Sequence, residues 1–126
     1  MGRLLTSLAG ALALALVAPA MASAQDAAQG RAVFQANCAV CHQATSNGRS
    51  MIGPNLFGIV GRRAASMAGF AYSAALQHSG ITWTNDELLA YVQAPARIVP
   101  GNRMPYAGLH NPQQAAALVA YLATLH

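Results

Sequence analysis

Lysine is absent from this chain, and acidic residues are nearly so. The seven strongly basic residues are all arginines, and the only acids among the 126 residues are Asp26, Asp86 and Glu87. Aromatic residues make up 6% of the sequence. Proteins that bind nucleic acid carry clustered positive charge, often with aromatic side chains that stack on bases. The composition therefore argues against nucleic-acid binding and leaves docking to an acidic protein surface as the interaction that charge favours.

Sustained alternation of apolar and polar residues, which marks half-buried strands, is also missing from the sequence. Caps and helical spacing predict three main helices instead. The first is expected over about residues 26–37, with Asp26 in a capping-box pattern. The second follows a cap at Thr84 and ends before Pro95, and the third follows a cap at Asn111. These patterns predict an all-α fold in a single domain.

Glycine and proline punctuate the remainder of the chain, from Gly48 to Gly108. One short helix is expected near residues 70–77. Loops of this length are unusual in a domain of about 100 residues unless something holds them. A large ligand enclosed by the loops would supply the missing part of the core.

The N-terminal segment has the order of a secretory signal peptide. Arg3 supplies a positive start, residues 4–18 are rich in leucine and alanine, and small residues follow at 22–24. An apolar run of about 15 residues is short for a helix that crosses roughly 30 Å of hydrocarbon. We therefore predict a cleaved signal peptide over residues 1–24 and an exported, periplasmic domain over residues 25–126 that does not insert into the membrane. Six arginines and three acids give that domain a net charge of +3. The alternative is an uncleaved membrane anchor.

Both cysteines of the chain, Cys38 and Cys41, lie in the stretch CAVCH, which His42 completes. A thioredoxin-like redox pair should follow a strand and begin a helix, whereas this pair ends a predicted helix. A zinc site needs four ligands, and the other histidines are scattered singly. A disulfide across so short a loop remains open, although it would constrain little of the unfolded chain. Two thioethers to a haem, with the histidine on the iron, fit the stretch best.

A second iron ligand could come from Met51, Met67 or Met104, the methionines that follow the predicted signal peptide. Thioether ligation opposite histidine raises the reduction potential, which suits a carrier of single electrons. Chain reach excludes none of the three. Met104 lies in a loop restrained by two prolines, whereas Met51 lies too near His42 to be the first choice for the opposite face. Met104 is therefore the predicted second ligand.

Beyond CAVCH, further stretches follow in a fixed order: GPNLFGIVGRRA, GFAYSAAL, GITWT, LLAYVQAP, VPGNRMPYAG and LVAYL. In this order, from Gly30 to Leu122, the chain resembles the class I mono-haem cytochromes c, close to the mitochondrial and bacterial small-carrier branch. The resemblance implies a single cytochrome c domain with three main helices and long loops wrapped around one covalently attached haem c. It also implies a soluble electron carrier that is not an enzyme.

The resemblance further implies roles for the positions that match. Cys38 and Cys41 would hold the haem through thioethers, and His42 and Met104 would ligate its iron. Pro54 would accept a hydrogen bond from the other ring nitrogen of the histidine, which fixes the tautomer and makes the imidazole a better donor.

Other matching positions would complete the haem pocket. Tyr91 would lie near the methionine sulfur, and Phe34 and Tyr121 would join the first helix to the last. A buried carboxylate without hydrogen-bond donors is costly, so the haem propionates need partners. The residues implied for this purpose are Arg62, Tyr72, Trp83 and Asn102.

The chain departs from the resemblance in its charge, and this bears on its partners. Mitochondrial members surround the exposed haem edge with lysines, which this chain lacks. We expect transient docking of a monomer, with weaker electrostatic steering, milder salt dependence and more apolar contact. The expected donor is a quinol-oxidising complex or a dehydrogenase, and the expected acceptor is a terminal oxidase, a peroxidase or a photosynthetic reaction centre. The alternatives are a haem peroxidase or gas-binding protein with an open sixth site, and a dedicated subunit of one enzyme.

Overall fold

The computed structural model describes residues 18–126. Within this range five helices follow one another, and the only extended pairing is an isolated antiparallel bridge between Arg63 and Thr82. The helices are α1 (Ala18–Asn37), α2 (Ala74–Gln77), α3 (Asn85–Gln93), α4 (Pro95–Ile98) and α5 (Pro112–Leu122). None of the helices in this range is long and apolar enough to cross a membrane. The all-α fold predicted from the sequence is confirmed.

α1 begins earlier than its capping pattern predicted. The helix starts at Ala18, so Asp26 lies inside it and does not cap it. The predicted start was wrong because the preceding residues are rich in alanine, which has the highest helix propensity and continues the helix upstream. Residues 1–17 of the predicted signal peptide lie outside the described range. Cleavage after Ala24, at a point within α1, stays a prediction.

The starts of α3 and α5 are set by side-chain caps. Thr84 Oγ1 accepts a hydrogen bond from the backbone N–H of Glu87 at 3.2 Å. Asn111 Oδ1 accepts one from the backbone N–H of Gln114 at 3.0 Å. Each cap satisfies a donor that has no partner inside its own helix. Both predicted helix starts are confirmed.

α4 was not predicted, although the residue that begins it was recognised as the end of α3. Pro95 cannot continue the hydrogen bonding of α3, yet its fixed φ suits the first turn of a new helix. A four-residue helix therefore runs from Pro95 to Ile98. The short helix expected near residues 70–77 is present as α2, which is capped by the Ser73 side chain.

α1 and α5 cross at close range and, together with α3, form the helical frame of the protein. Gly30 permits this crossing, because a Cβ at that position would collide with the backbone carbonyl of Ala117. Phe34 packs on Tyr121 with ring centroids 5.7 Å apart, which is the contact implied by the resemblance. Ala115 of α5 is completely buried. The frame thus closes its core with its own side chains.

Two segments without helices, residues 38–73 and 99–111, are the cavity loops. Backbone hydrogen bonds fasten the first of them to the segment before α3. The Gly61 N–H donates to the carbonyl of Trp83, and the Trp83 N–H donates to the carbonyl of Arg62, both at 2.8 Å. These bonds fix the tryptophan against the cavity that the loops surround.

Candidate haem-binding site

All the site residues predicted from the sequence line one cavity of about 710 Å³. The cavity is bounded by the cavity loops together with side chains of α3 and α5. The predicted residues on its wall are Cys38, Cys41, His42, Pro54, Arg62, Tyr72, Trp83, Tyr91, Asn102 and Met104. The fold therefore brings together positions that are up to 66 residues apart in the sequence, from 38 to 104.

The two cysteines lie on the turn that follows α1. The Cys38 N–H donates to the carbonyl of Phe34, and the His42 N–H donates to the carbonyl of Cys38, so the turn is continuous with the helix. Both thiols are free. Burial, together with the neighbouring Cys41, raises the pKa of Cys38 to about 11. A thiol with so high a pKa lacks the thiolate character of a redox-active cysteine.

A zinc site gains no support from the geometry. Within residues 18–126 no group of three or more His, Cys, Asp or Glu side chains is arranged to hold a metal ion. A tetrahedral zinc site draws its protein ligands from such a group. The cysteine pair is therefore better explained by the cavity beside it.

The imidazole of His42 is held by the backbone of Pro54. Its Nδ1 lies 2.7 Å from the Pro54 carbonyl oxygen. A carbonyl oxygen only accepts, so Nδ1 carries the proton and Nε2 keeps its lone pair. Burial lowers the pKa of His42, and the hydrogen bond to Pro54 opposes part of that effect. The side chain is thus a neutral, oriented imidazole, the form in which histidine binds metals.

Met104 is far from His42 in the sequence and lies on the second cavity loop. The Asn102 Oδ1 accepts a hydrogen bond from the Met104 N–H at 2.9 Å, while the Asn102 amide donates to the carbonyl of Val99 at 2.9 Å. The carbonyl of Met104 accepts one from the Tyr106 N–H at 2.9 Å. Asn102 therefore braces the methionine loop in this structure, and its implied role toward a propionate stays a prediction.

The other two candidate methionines are placed differently. Met67 does not line the cavity, and its sulfur accepts a hydrogen bond from Ser50 Oγ at 3.7 Å. Met51 lies on the cavity wall but is 46% exposed. Met104 is partly buried and packs against the core. Met104 is thus the candidate that both lines the cavity and is partly buried, so the geometry favours it as the sequence did.

The aromatic and basic residues implied for the pocket lie on two parts of its wall. Trp83 and Tyr91 are buried with ring centroids 4.9 Å apart, and burial raises the pKa of the tyrosine. Tyr72 is half-buried, and burial raises its pKa against the opposing effects of a Met67 backbone hydrogen bond and of Arg62. The first pair forms an apolar wall, and the second offers hydrogen-bond donors.

Sequence reasoning missed several wall residues. Gly53 is buried against the ring of His42. Tyr106 lies near Cys38. Burial is the larger cause that raises the pKa of Tyr106, and the neighbouring cysteine is the second. Val40 and Ile52 line the cavity while 75% and 71% exposed, respectively. The sequence signal for these residues was their position within or beside CAVCH, GPNLFGIVGRRA and VPGNRMPYAG.

The cavity suits a haem in size, in wall chemistry and in donor set. Its volume falls within the range of sites that enclose a cofactor or drug-sized ligand. Apolar side chains from the helical frame face it, among them Leu88, Leu118 and Leu122. An imidazole nitrogen and a thioether sulfur are both established ligands of haem iron. The two free thiols lie on the same wall.

Comparisons with known proteins agree with this site. The family model described as cytochrome c matches residues 27–126. A cytochrome c of Chlamydomonas reinhardtii is 44% identical over 103 residues, covering 82% of this chain and 92% of that protein. A cytochrome c2 of Rhodopila globiformis is 43% identical over 100 residues, covering 79% and 93%. The solved structure of cytochrome cH from Methylobacterium extorquens has a TM-score of 0.71 and 38% identity, covering 79% of this chain and 98% of that one. The chain therefore belongs to the cytochrome c family of electron-transfer proteins, which bind haem c covalently and are not enzymes.

Proposed function

We propose that this protein is a periplasmic carrier that moves single electrons between two protein partners to which it docks transiently as a monomer. The observation that carries the proposal is the convergence of CAVCH and Met104 on one cavity. An oriented neutral imidazole and a restrained thioether are the ligand pair of a carrier. This pair leaves no iron position open for a peroxidase substrate or a gas.

Cys38 and Cys41 would hold haem c through two thioethers, and His42 and Met104 would ligate its iron. When bound, haem c supplies an iron that alternates between Fe(II) and Fe(III). His42 stays neutral because it is buried, and the carbonyl of Pro54 keeps its proton on Nδ1. Met104 keeps its position through the hydrogen bonds of its loop.

The remaining wall residues control what surrounds the iron. Trp83, Tyr91 and the leucines of the frame exclude water from the cavity. Without water, a charge on the iron is less well stabilised, and this tunes the reduction potential. Arg62 and Tyr72 would supply donors for the propionates, since both line the cavity and carry N–H or O–H groups. Water exclusion also limits the rearrangement that accompanies each change of charge.

Docking is supported by the side chains at the edge of the cavity. Val40 and Ile52 are exposed apolar residues on the cavity wall, where partners would come closest to the haem. Arg62, Arg63 and Arg103 also line the cavity, whereas no acidic residue does. An apolar centre with a sparse positive rim fits a weakly acidic partner surface that binds briefly.

The partner classes follow from the chemistry of a high-potential carrier. A quinol-oxidising complex or a dehydrogenase would reduce it, and a terminal oxidase, a peroxidase or a photosynthetic reaction centre would oxidise it. Export is supported by the signal-like N-terminal segment. Steady-state rates against these partners at several salt concentrations should show only mild salt dependence, and stable co-purification with one enzyme would indicate a dedicated subunit instead.

The ligand assignment is tested by replacing Met104 with alanine in the holoprotein. We expect the reduction potential to fall by roughly tens to hundreds of millivolts, within the roughly 0.8 V range that axial ligands command. Met51→Ala and Met67→Ala are matched controls, and both should leave the potential near its original value. A normal potential in Met104→Ala, with a fall in either control, would assign the ligand to another methionine.

A further inference from the structure

We propose that Gly53 is a positioning residue for His42. Because glycine has no side chain, the imidazole packs directly on the backbone at this position. That packing sets the tilt of the ring and so the strength of its hydrogen bond to Pro54. Gly53 is buried, directly precedes Pro54 and lies against the imidazole. The inference rests on the proposed role of His42 as an iron ligand. It assigns a function to a residue that the sequence analysis quoted only as the first position of the GPNLFGIVGRRA stretch.

Position 53 has no room for a side chain. An ideal Cβ on Gly53 would lie 2.7 Å from Nδ1 and 2.8 Å from Nε2 of His42, and closer still to Cε1. Real Cβ atoms essentially never approach other atoms within 3.0 Å. The φ of Gly53 is outside the left-handed region, which the backbone adopts at six other glycines of the described chain. Glycine is therefore required at this position by contact with the ring, not by backbone conformation.

The backbone at Gly53 cannot withdraw from the ring. Its N–H donates to the carbonyl of Cys41 at 2.9 Å, and its carbonyl accepts a hydrogen bond from the Met51 N–H at 2.8 Å. The following Pro54 also restricts residue 53 to extended conformations. Moving this segment outward would break the hydrogen bond that joins Gly53 to Cys41, on the turn that carries CAVCH.

The ring is held from the adjacent residue. The His42 Nδ1–H donates to the Pro54 carbonyl at 2.7 Å, a short distance for such a bond. Gly53 and Pro54 therefore contact the imidazole together, one by packing against it and one by hydrogen bonding. A methyl group at position 53 must tilt or displace the ring, and that movement lengthens the hydrogen bond to Pro54.

A longer hydrogen bond changes the electronic character of His42. The bond from the ring nitrogen that does not bind metal raises the basicity of the ligand. A weaker hydrogen bond makes the imidazole a poorer electron donor to the iron. This destabilises the oxidised state more than the reduced state. The reduction potential of a Gly53→Ala protein should therefore shift upward.

The test compares Gly53→Ala with Gly48→Ala in the holoprotein. Gly48 lies on the same loop and also has a φ outside the left-handed region, but a Cβ there would meet the ends of the Asn55, Thr45 and Gln43 side chains. Two readouts are measured: the proton resonance of His42 Nδ1–H in the reduced protein, and the reduction potential. We expect an upfield shift and a raised potential in Gly53→Ala only. Original values of both quantities in that protein would overturn the inference.

If Gly53→Ala yields no holoprotein, a measurement on the unaltered protein replaces it as the test. The close packing predicts strong nuclear Overhauser effects between the Gly53 Hα protons and the His42 ring protons in the reduced state, and their absence would overturn the inference. Failure of the proposed function would look different. The unaltered protein would then lack the low-spin spectrum of a His/Met-ligated iron, whatever residue occupies position 53.

Discussion

The helical frame and the cavity loops bury their apolar side chains against different partners. In the frame, α1 and α5 pack directly on each other, and Phe34, Ala115 and Val119, which do not line the cavity, are at most 6% exposed. The cavity loops instead surround a volume of about 710 Å³. The frame therefore completes its core with its own side chains, whereas the loops need the haem to complete theirs.

The two regions also differ in how their backbone is fixed. Helices of the frame carry their own hydrogen bonds and are started by caps at Thr84 and Asn111. The loops depend on individual side chains, such as the buried Asn55, which donates to the carbonyls of Thr45 and Gly48 at 2.9 and 3.0 Å. Such braces hold a turn in place but bury little apolar surface. The stability of the cavity loops must therefore come from the group that they enclose.

Of the changes that distinguish the frame from the loops, removal of the haem should have the largest effect on the folding of the protein. Cys38→Ser/Cys41→Ser, expressed without haem attachment, should be largely unfolded, because the cavity walls lose the group that they pack against. Far-ultraviolet circular dichroism reports the helices, and the fluorescence of Trp83, the one tryptophan, reports the cavity. A stable helical chain with a buried tryptophan would show that the loops do not need the haem.

Gly30→Ala should break the frame while leaving the cavity chemistry intact. Helix propensity alone predicts stabilisation by about 1 kcal/mol. The collision of the new Cβ with the Ala117 carbonyl should reverse the sign and lower the free energy of unfolding by about 3 kcal/mol.

Denaturant unfolding of the holoprotein measures this change, and the reduction potential should stay near its original value. Gln35→Ala, at an exposed position of the same helix, is the control and should change stability by less than about 0.5 kcal/mol. Stabilisation by Gly30→Ala would mean that α1 and α5 do not cross closely at this residue.

Asn111→Ala should have the smallest effect of the three. Loss of the hydrogen bond from the Gln114 N–H should cost about 1 kcal/mol of unfolding free energy. Asn111→Ser, which keeps a capping oxygen, is the matched control and should recover most of the loss. Equal losses in the two proteins would show that the start of α5 is fixed by packing in the frame and not by its cap.

Sequence reasoning succeeded for the helices that begin at a side-chain cap and failed where a local signal had a second meaning. Caps at Thr84 and Asn111 are encoded within four residues, so α3 and α5 were predictable. The start of α1 was misplaced because an alanine-rich segment continues the helix past Asp26. α4 was missed because Pro95 was considered only as the end of a helix.

The candidate site divides differently, between residues whose chemistry lies in a short stretch of sequence and residues that matter through contacts in the folded chain. CAVCH and the proline-framed Met104 carry their chemistry in short stretches of sequence, and the fold places both on one cavity. Gly53 and Tyr106 could not be assigned, because their importance arises from contact with His42 and Cys38 in the folded chain. The hydrogen bonds by which Asn102 braces its own loop were not foreseen, and its expected role toward a propionate stays a prediction.

The absorption spectrum of the oxidised holoprotein tests the central claim most directly, since it reports both iron ligands at once. Ligation by His42 and Met104 predicts a low-spin spectrum with a methionine–iron charge-transfer band that disappears in Met104→Ala. A high-spin spectrum, or a low-spin spectrum without that band in the unaltered protein, would contradict the account.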